Sequence, residues 1–254
     1  MRQFLVYDLG GTFIKYALMD EEYQVLDQGR VPAELDDLDR LLTVMKAIAD
    51  GYAGRYEGAA VSLPGRIDTR CGMAYTGGQY GRIIENLPFA KLLEETLGCR
   101  VVIANDGKCA VKAEAACGSL KDIANGAVMV LGTGTGGGII LDHRVVMGES
   151  GGAGEFSIIA ADFARVAHGG FKQGDFSLLF AGYGSTTGLI TLYAEKKNLP
   201  AAQVISTVSG EDFFRAYDQG EPEAIETLRQ FGINTAVGIS IIQSVLDLRR
   251  YAIG

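Results

Sequence analysis

Apolar residues in this chain come in short bursts, each closed by a turn. Phe4-Leu-Val-Tyr7, Val101-Val-Ile-Ala104 and Val128-Met-Val-Leu131 each read as a buried strand. They run directly into Asp8-Leu-Gly10-Gly11-Thr12, Asn105-Asp106 and Gly132-Thr133-Gly134-Thr135-Gly136-Gly137-Gly138. In the first half, FLVYDL, a Gly-Gly turn and FIKYALMD predict strand–turn–strand, with a third strand around YQVLDQGRV. Leu38, Leu41, Leu42, Met45 and Ile48 then recur at helical spacing. The strand GAAVSL, the turn Pro64-Gly65, a helix near 90–97 and the strand RVVIAN follow. The second half opens in the same way, with AVMVLG, a glycine turn, GGIILD, a turn at His143 and RVVM. Helices are predicted near 185–197, 211–217 and 223–248. The layout repeats although the residues do not. The economical architecture is two α/β lobes with a central cleft, 1–117 and 118–254, joined around Gly118 to Gly126.

Composition narrows the function classes. A net charge of −8 argues against a nucleic-acid surface, which needs clustered Lys and Arg. No apolar stretch reaches transmembrane length, and the first strand begins too early for a signal peptide, so a cytoplasmic protein without membrane partners is expected. The four cysteines show no CxxC spacing, which removes a zinc ribbon or redox pair and suits a reducing compartment. Cys109 and Cys117 read as core thiols, and His143 and His168 as surface or turn residues.

The glycine turns carry the candidate chemistry. Gly10 and Gly11 let the backbone reverse tightly with N–H groups pointing outward; Thr12 adds a hydroxyl and Lys15 a cation, both suited to phosphate oxygens. Asp8 could hold Mg²⁺ directly or through water, or could simply cap the turn. Gly132 to Gly137 fits GxGxxG, but that fingerprint must open a helix, and Gly138-Ile-Ile-Leu-Asp142 reads as a strand. No GxxxxGK[ST] occurs. Gly148-Glu-Ser150-Gly-Gly152 matches a hydrolase elbow but lacks the apolar strand that should present the serine. What remains is a strand–glycine–strand phosphate cradle at Gly132, Gly134 and Gly136, with Thr133 and Thr135 as hydroxyl donors. Asn105-Asp106 precedes a helix starting near Lys108; either residue could be the N-cap, and a helix N-terminus favours an ionised carboxylate able to act as a general base.

These segments, in this order, resemble the sugar kinases of the ROK family within the actin-like ATPase superfamily, whose lobes are ribonuclease H-like. DLGGTFIK is similar to the family's first phosphate motif and GTGTGGG to its second; SLPGRID, the stretch ENLPF to NDGKC, and Gly151-Gly-Ala-Gly154-Glu155-Phe156 are similar to its sugar-side segments. The resemblance implies ATP and Mg²⁺ as cofactors and a hexose or glucoside as substrate, phosphorylated at the 6-hydroxyl. It implies Asp106 as the base, with Gly65, Asn105 and Glu155 on the sugar. A homodimer and lobe closure on sugar binding are implied by analogy. Two departures stand out. Ser157-Ile158 replace the family's Gly-His, and His168 to Ser185 contains no cysteine, so no zinc site is expected; this pattern, with TGGQY and NDGKC, resembles the glucokinase-like and β-glucoside kinases of Gram-positive bacteria. The sequence given also ends at Gly254, where the family continues into glycines against adenosine and a last helix; a C-terminally truncated lobe would weaken nucleotide binding. The competing expectation is therefore a non-catalytic sugar-binding sensor. No helix-turn-helix precedes Asp8, which disfavours a transcription repressor.

Overall fold

The structure is a computed structural model that describes residues 1–170 and 176–254. The chain divides into two compact units, Met1–Lys112 with Val146–Ala153, and Ala113–Val145 with Gly154–Gly254.

The first unit is built on a five-stranded sheet. β1 (Gln3–Leu9), β2 (Phe13–Asp20) and β3 (Val25–Pro32) form an antiparallel meander. α1 (Leu38–Gly51) leads to β4 (Gly58–Leu63), which pairs parallel to β1. A two-stranded excursion, β5 (Ile67–Asp68) and β6 (Met73–Ala74), the single turn α2 (Gly81–Ile84) and α3 (Phe89–Leu97) lead to β7 (Arg100–Asn105), parallel to β4. The strand order is β3-β2-β1-β4-β7. Along β1, Leu5, Tyr7 and Leu9 are buried in alternation, as a strand with one face in a core requires. Leu41, Met45 and Ala49 of α1 and Phe89, Leu93 and Leu97 of α3 supply the helical stripes of that core. Each large side chain so buried stabilises the fold by about 1.5–3 kcal/mol. The Tyr7 hydroxyl, buried among them, donates to the carbonyl of Met45 at 2.9 Å, and burial pushes its pKa up. α4 (Asp106–Cys117) follows β7 with no intervening loop.

The second unit repeats the scheme with four strands. β8 (Gly126–Leu131), β9 (Thr135–Leu141) and β10 (Arg144–Val145) are antiparallel, and β11 (Arg250–Ile253) joins β8 in parallel, giving the order β10-β9-β8-β11. Between β10 and β11 come the short turns α5 (Phe163–Arg165) and α6 (Phe180–Tyr183), then α7 (Thr186–Lys196), α8 (Ala201–Thr207), α9 (Gly210–Asp218) and the long α10 (Pro222–Leu246). Leu189, Ile190 and Tyr193 of α7 pack with Val204, Phe213 and Ala224 in a core of their own. Ser209 and Asp212 form a reciprocal capping box at the start of α9, and Pro222 opens α10, where a missing N–H costs nothing.

Candidate active site

Each glycine turn joins the first two strands of its sheet. In the first unit, Asp8 stands opposite Lys15 on β2 and beside Ser62 on β4. Ser62 Oγ donates to Asp8 Oδ1 at 3.1 Å, and Lys15 Nζ lies 3.5 Å from Oδ2. The ion pair is solvent-exposed, so it is worth at most about 1 kcal/mol and its partners can be redirected to a ligand at little cost. The Gly10 N–H turns inward onto the carbonyls of Asp8 and Phe13 (3.2 and 3.1 Å), while Gly11 and Thr12 are exposed. Among the described residues no acceptor faces the N–H groups of Gly11 and Thr12. Tyr80, wholly buried, donates its hydroxyl to the Gly10 carbonyl at 2.8 Å and fixes the turn from below. Burial, with the Asp8 carboxylate adding to it, pushes the Tyr80 pKa up to about 12, so this phenol remains a donor at neutral pH.

The helix expected near Lys108 begins two residues earlier, because Asn105 is its cap: Asn105 Oδ1 accepts from the Lys108 backbone N–H at 3.1 Å. The Asn105 amide donates to the Gly65 carbonyl (2.9 Å) and to Asp106 Oδ1 (3.0 Å), and the Gly107 N–H donates to the same oxygen (2.8 Å). Gly65, Asn105 and Asp106 are thereby wired together. Gly65 has φ of +98°, and a Cβ there would lie 2.5 Å from the Thr76 carbonyl oxygen, so only glycine fits. Asp106 is reachable by solvent yet so closely surrounded by protein that desolvation is the largest influence on its carboxyl, raising its pKa. The Gly107 N–H pulls the other way, and the nearby Asp8 carboxylate raises it again. Burial outweighs the helix N-terminus here. Lys108 is buried and donates its ammonium to the carbonyl of Ala153.

In the second unit the turn from β8 to β9 is held by the N-terminus of α7. The Thr186 N–H donates to Gly132 O (2.8 Å), Thr186 Oγ1 to Leu131 O (3.2 Å) and Thr187 Oγ1 to Thr133 O (2.8 Å). Thr135 is buried and its hydroxyl donates to the Gly184 carbonyl at 2.8 Å. Of the two threonines expected as hydroxyl donors to phosphate, Thr135 is thus committed to internal wiring, and Thr133 is exposed. No acceptor among the described residues faces the N–H groups of Thr133 and Gly134, and the space around Gly134 is open. The turn borders a cavity of about 740 Å³, lined further by Thr191 and Glu195 of α7 and Gln230 and Asn234 of α10. Gly136 continues the β8–β9 ladder, paired with Val130. Glu155 also belongs to this unit, preceding a 3-10 turn at Phe156–Ile158, whereas Gly151–Ala153 of the same motif lie in the first unit.

The donor set fits the implied cofactors. Asp8 offers a half-exposed carboxylate of the hard-oxygen type that Mg²⁺ prefers, and both turns hold exposed residues whose N–H groups meet no acceptor among the described residues, as phosphate binding requires. No group of three His, Cys, Asp or Glu side chains could hold a metal among the described residues. Residues 171–175, part of the stretch compared with the family's zinc element, lie outside the described residues. No described helix is long and apolar enough to cross a membrane.

Ser62, Tyr80 and the hydroxyls of Thr186 and Thr187 carry parts of these sites that the sequence reading did not assign. A signal existed for the last two: Ser185-Thr-Thr-Gly188 is a helix start, with Ser185 Oγ accepting from the Gly188 N–H. Nothing local in sequence marks Tyr80 as a partner of Gly10, seventy residues away.

Comparison with known proteins adds kinship to geometry. The family model described as ROK family matches residues 5–254. A β-glucoside kinase of Klebsiella pneumoniae is 29% identical over 251 residues, covering 98% of this chain and 80% of the relative. An N-acetyl-D-glucosamine kinase of Yersinia pseudotuberculosis is 27% identical over 263 residues, covering 98% and 82%. Among solved structures, the Lmo2764 protein of Listeria monocytogenes superimposes with a TM-score of 0.85 at 25% identity, covering 99% of this chain and 82% of that one. A ROK family glucokinase of Streptomyces griseus in complex with glucose and AMPPNP gives 0.83 at 21% identity, with the same coverage. The fold is the mixed α/β, actin-like ATPase fold of these kinases.

Proposed function

This chain belongs to the ROK family, and from that premise we propose that it is an ATP-dependent sugar kinase that phosphorylates a hexose or glucoside at its 6-hydroxyl, with Asp106 as general base. The observation that carries the reading is the wired set Gly65–Asn105–Asp106 with Asp8 close enough to act on Asp106. Both hydrogen bonds to Asp106 fall on Oδ1, so Oδ2 is the oxygen that would take the acceptor's proton as the sugar oxygen bonds to the γ-phosphorus and the bond from that phosphorus to the ADP oxygen breaks, releasing ADP. The raised pKa makes Asp106 a stronger base than a surface carboxylate. Asn105 and the Gly65 backbone orient the sugar, and Glu155 adds a further hydroxyl contact. The N–H groups of Gly11 and Thr12 with the Thr12 hydroxyl, and those of Thr133 and Gly134 with the Thr133 hydroxyl, would hold phosphate oxygens, and Lys15, paired with Asp8, would supply a cation to them. Asp8 would hold Mg²⁺, which neutralises phosphate charge when bound. Positioning and charge neutralisation thus do most of the work. The same reading places the enzyme in the cytoplasm, as a homodimer.

A coupled ADP-release assay with Mg-ATP across glucose, N-acetylmannosamine, fructose and cellobiose tests it. Turnover with at least one sugar, matched by a sugar phosphomonoester, is expected. Sugar binding without turnover would replace the kinase by a sensor.

A further inference from the structure

The loop after β6 joins two parts of the first unit that the proposed reaction must keep in step. At one end, Gly65 packs against the Thr76 carbonyl and Gly77, while Arg66 N–H donates to Thr76 Oγ1 at 2.8 Å and Tyr75 N–H to Arg66 O at 2.9 Å. Gly65 is also the residue whose carbonyl accepts from Asn105. In the middle, Gly78 has φ of +54° and sits so close to Pro64 that a Cβ would lie 2.9 Å from the ring. At the other end, Tyr80 donates to Gly10 O at 2.8 Å, and the Gln79 carboxamide lies against Gly11, where a Cβ would overlap its oxygen. The path Asp106–Asn105–Gly65–Thr76–Gly78–Tyr80–Gly10 is continuous: hydrogen bonds and a close backbone approach join its two ends, and the chain itself carries it from Thr76 to Tyr80.

We propose that the segment Thr76–Tyr80 is a strap that couples sugar binding at the Pro64-Gly65 turn to phosphate binding at the Gly10-Gly11 turn, with Tyr80 as its positioning residue. The inference rests on the kinase reading above. Sugar seated on Asn105 and Gly65 fixes the Pro64-Gly65 turn. A Cβ on Gly65 would lie 3.0 Å from Gly77 Cα and one on Gly78 2.9 Å from Pro64, so the two backbones are in close approach and a shift of the turn displaces the segment. Tyr80 is buried, so its hydroxyl transmits the displacement to the Gly10 carbonyl, which shares a peptide plane with the Gly11 N–H and sets its direction. Gln79, exposed at the surface beside Gly11, is carried by the same segment toward the phosphate. By linkage the effect is reciprocal: nucleotide must tighten sugar binding by the same factor.

Calorimetric titration of AMP-PNP, with and without saturating cellobiose or D-glucose, reads the coupling directly without turnover. In the wild type the sugar is expected to tighten AMP-PNP binding about fivefold or more. Tyr80→Phe keeps the ring and removes the donor; its ratio is expected to fall to within about twofold of one, with sugar affinity alone unchanged. Gly78→Ala, which strains the strap at its other joint, should abolish the ratio in the same way and decides the matter should Tyr80→Phe not fold. A ratio preserved in the folded variant overturns the proposal, as does a loss of AMP-PNP affinity that is equal with and without sugar. No coupling in a wild type that turns over sugar overturns the strap and leaves the kinase standing. No binding of sugar or nucleotide by the wild type removes both.

Discussion

The two glycine turns occupy the same place in two sheets of the same design, yet they are equipped differently. Each closes a hairpin whose first strand is flanked by a parallel partner, β4 beside β1 and β11 beside β8. Counting back from the first glycine, Asp8 in one turn is matched by Val130 in the other. The first turn is surrounded by ionisable and hydroxyl groups, Asp8, Lys15, Ser62 and Tyr80, with Asp106 nearby. The second has no charged side chain in it and is tied down by threonine hydroxyls and backbone carbonyls. The same backbone device is therefore built in two ways. Under the proposed function the first turn would bring charge to the reaction, and the second would offer uncharged N–H groups to a nucleotide.

Substitutions can break that comparison in a definite order. The largest effect is expected from Asp106→Asn, which should lower turnover by about 10²–10⁴-fold while AMP-PNP affinity stays near the wild-type value, measured by ADP release and calorimetry. Next, Gly137→Ala should destabilise the second unit by about 3 kcal/mol in chemical denaturation, since its Cβ would lie 2.3 Å from the Phe156 ring and 2.7 Å from the Val128 carbonyl oxygen. Gly134→Ala meets open space and should leave stability unchanged while weakening nucleotide binding. A third contrast lies in the threonines. Thr135→Val leaves the Gly184 carbonyl unpaired and should cost about 2 kcal/mol of stability, whereas Thr133→Val should cost less than about 0.5 kcal/mol and act on nucleotide affinity alone.

The smallest effect is in pH dependence. Because burial raises the Asp106 pKa, the acidic limb of kcat/KM should lie above the range of an ordinary carboxylate, activity falling as pH drops through that raised value. The stability sign is opposite. A carboxyl whose folded pKa exceeds its unfolded one binds more protons in the fold, so its contribution is present in acid and lost as pH rises. Asp106→Asn should accordingly melt no lower than the wild type at neutral pH, with the difference closing toward acid.

Much of this architecture was legible in the chain. The apolar run of FLVYDL and the helical spacing from Leu38 to Ile48 identify β1 and α1; that the burial of β1 alternates is seen only in the structure. The strand–glycine–strand reading of Gly132 to Gly138 is matched by the β8–β9 hairpin, which is why the dinucleotide fingerprint does not apply. Asn105 and Asp106 could not be told apart as caps, since both favour the position; the structure assigns the cap to Asn105 through its bond to the Lys108 N–H. β11 was not legible, because four residues, Arg250-Tyr-Ala-Ile253, become a strand only by pairing with β8 more than a hundred residues away. Tyr80 and Ser62 stayed hidden for the same reason: their roles consist of contacts across 70 and 54 residues of sequence. The buried state of Thr135 likewise depends on Gly184 and cannot be read from a glycine-rich run.

The central claim of the proposed function is that Asp106 takes the proton of a sugar hydroxyl as ATP phosphorylates it. Its most direct test is the product analysis of wild type and Asp106→Asn incubated with Mg-ATP and the accepted sugar, followed by phosphorus NMR. The account predicts a sugar phosphomonoester formed in equal amount to ADP by the wild type and almost none by Asp106→Asn. A variant that forms the phosphomonoester at the wild-type rate, or a wild type that releases ADP without it, would contradict the account.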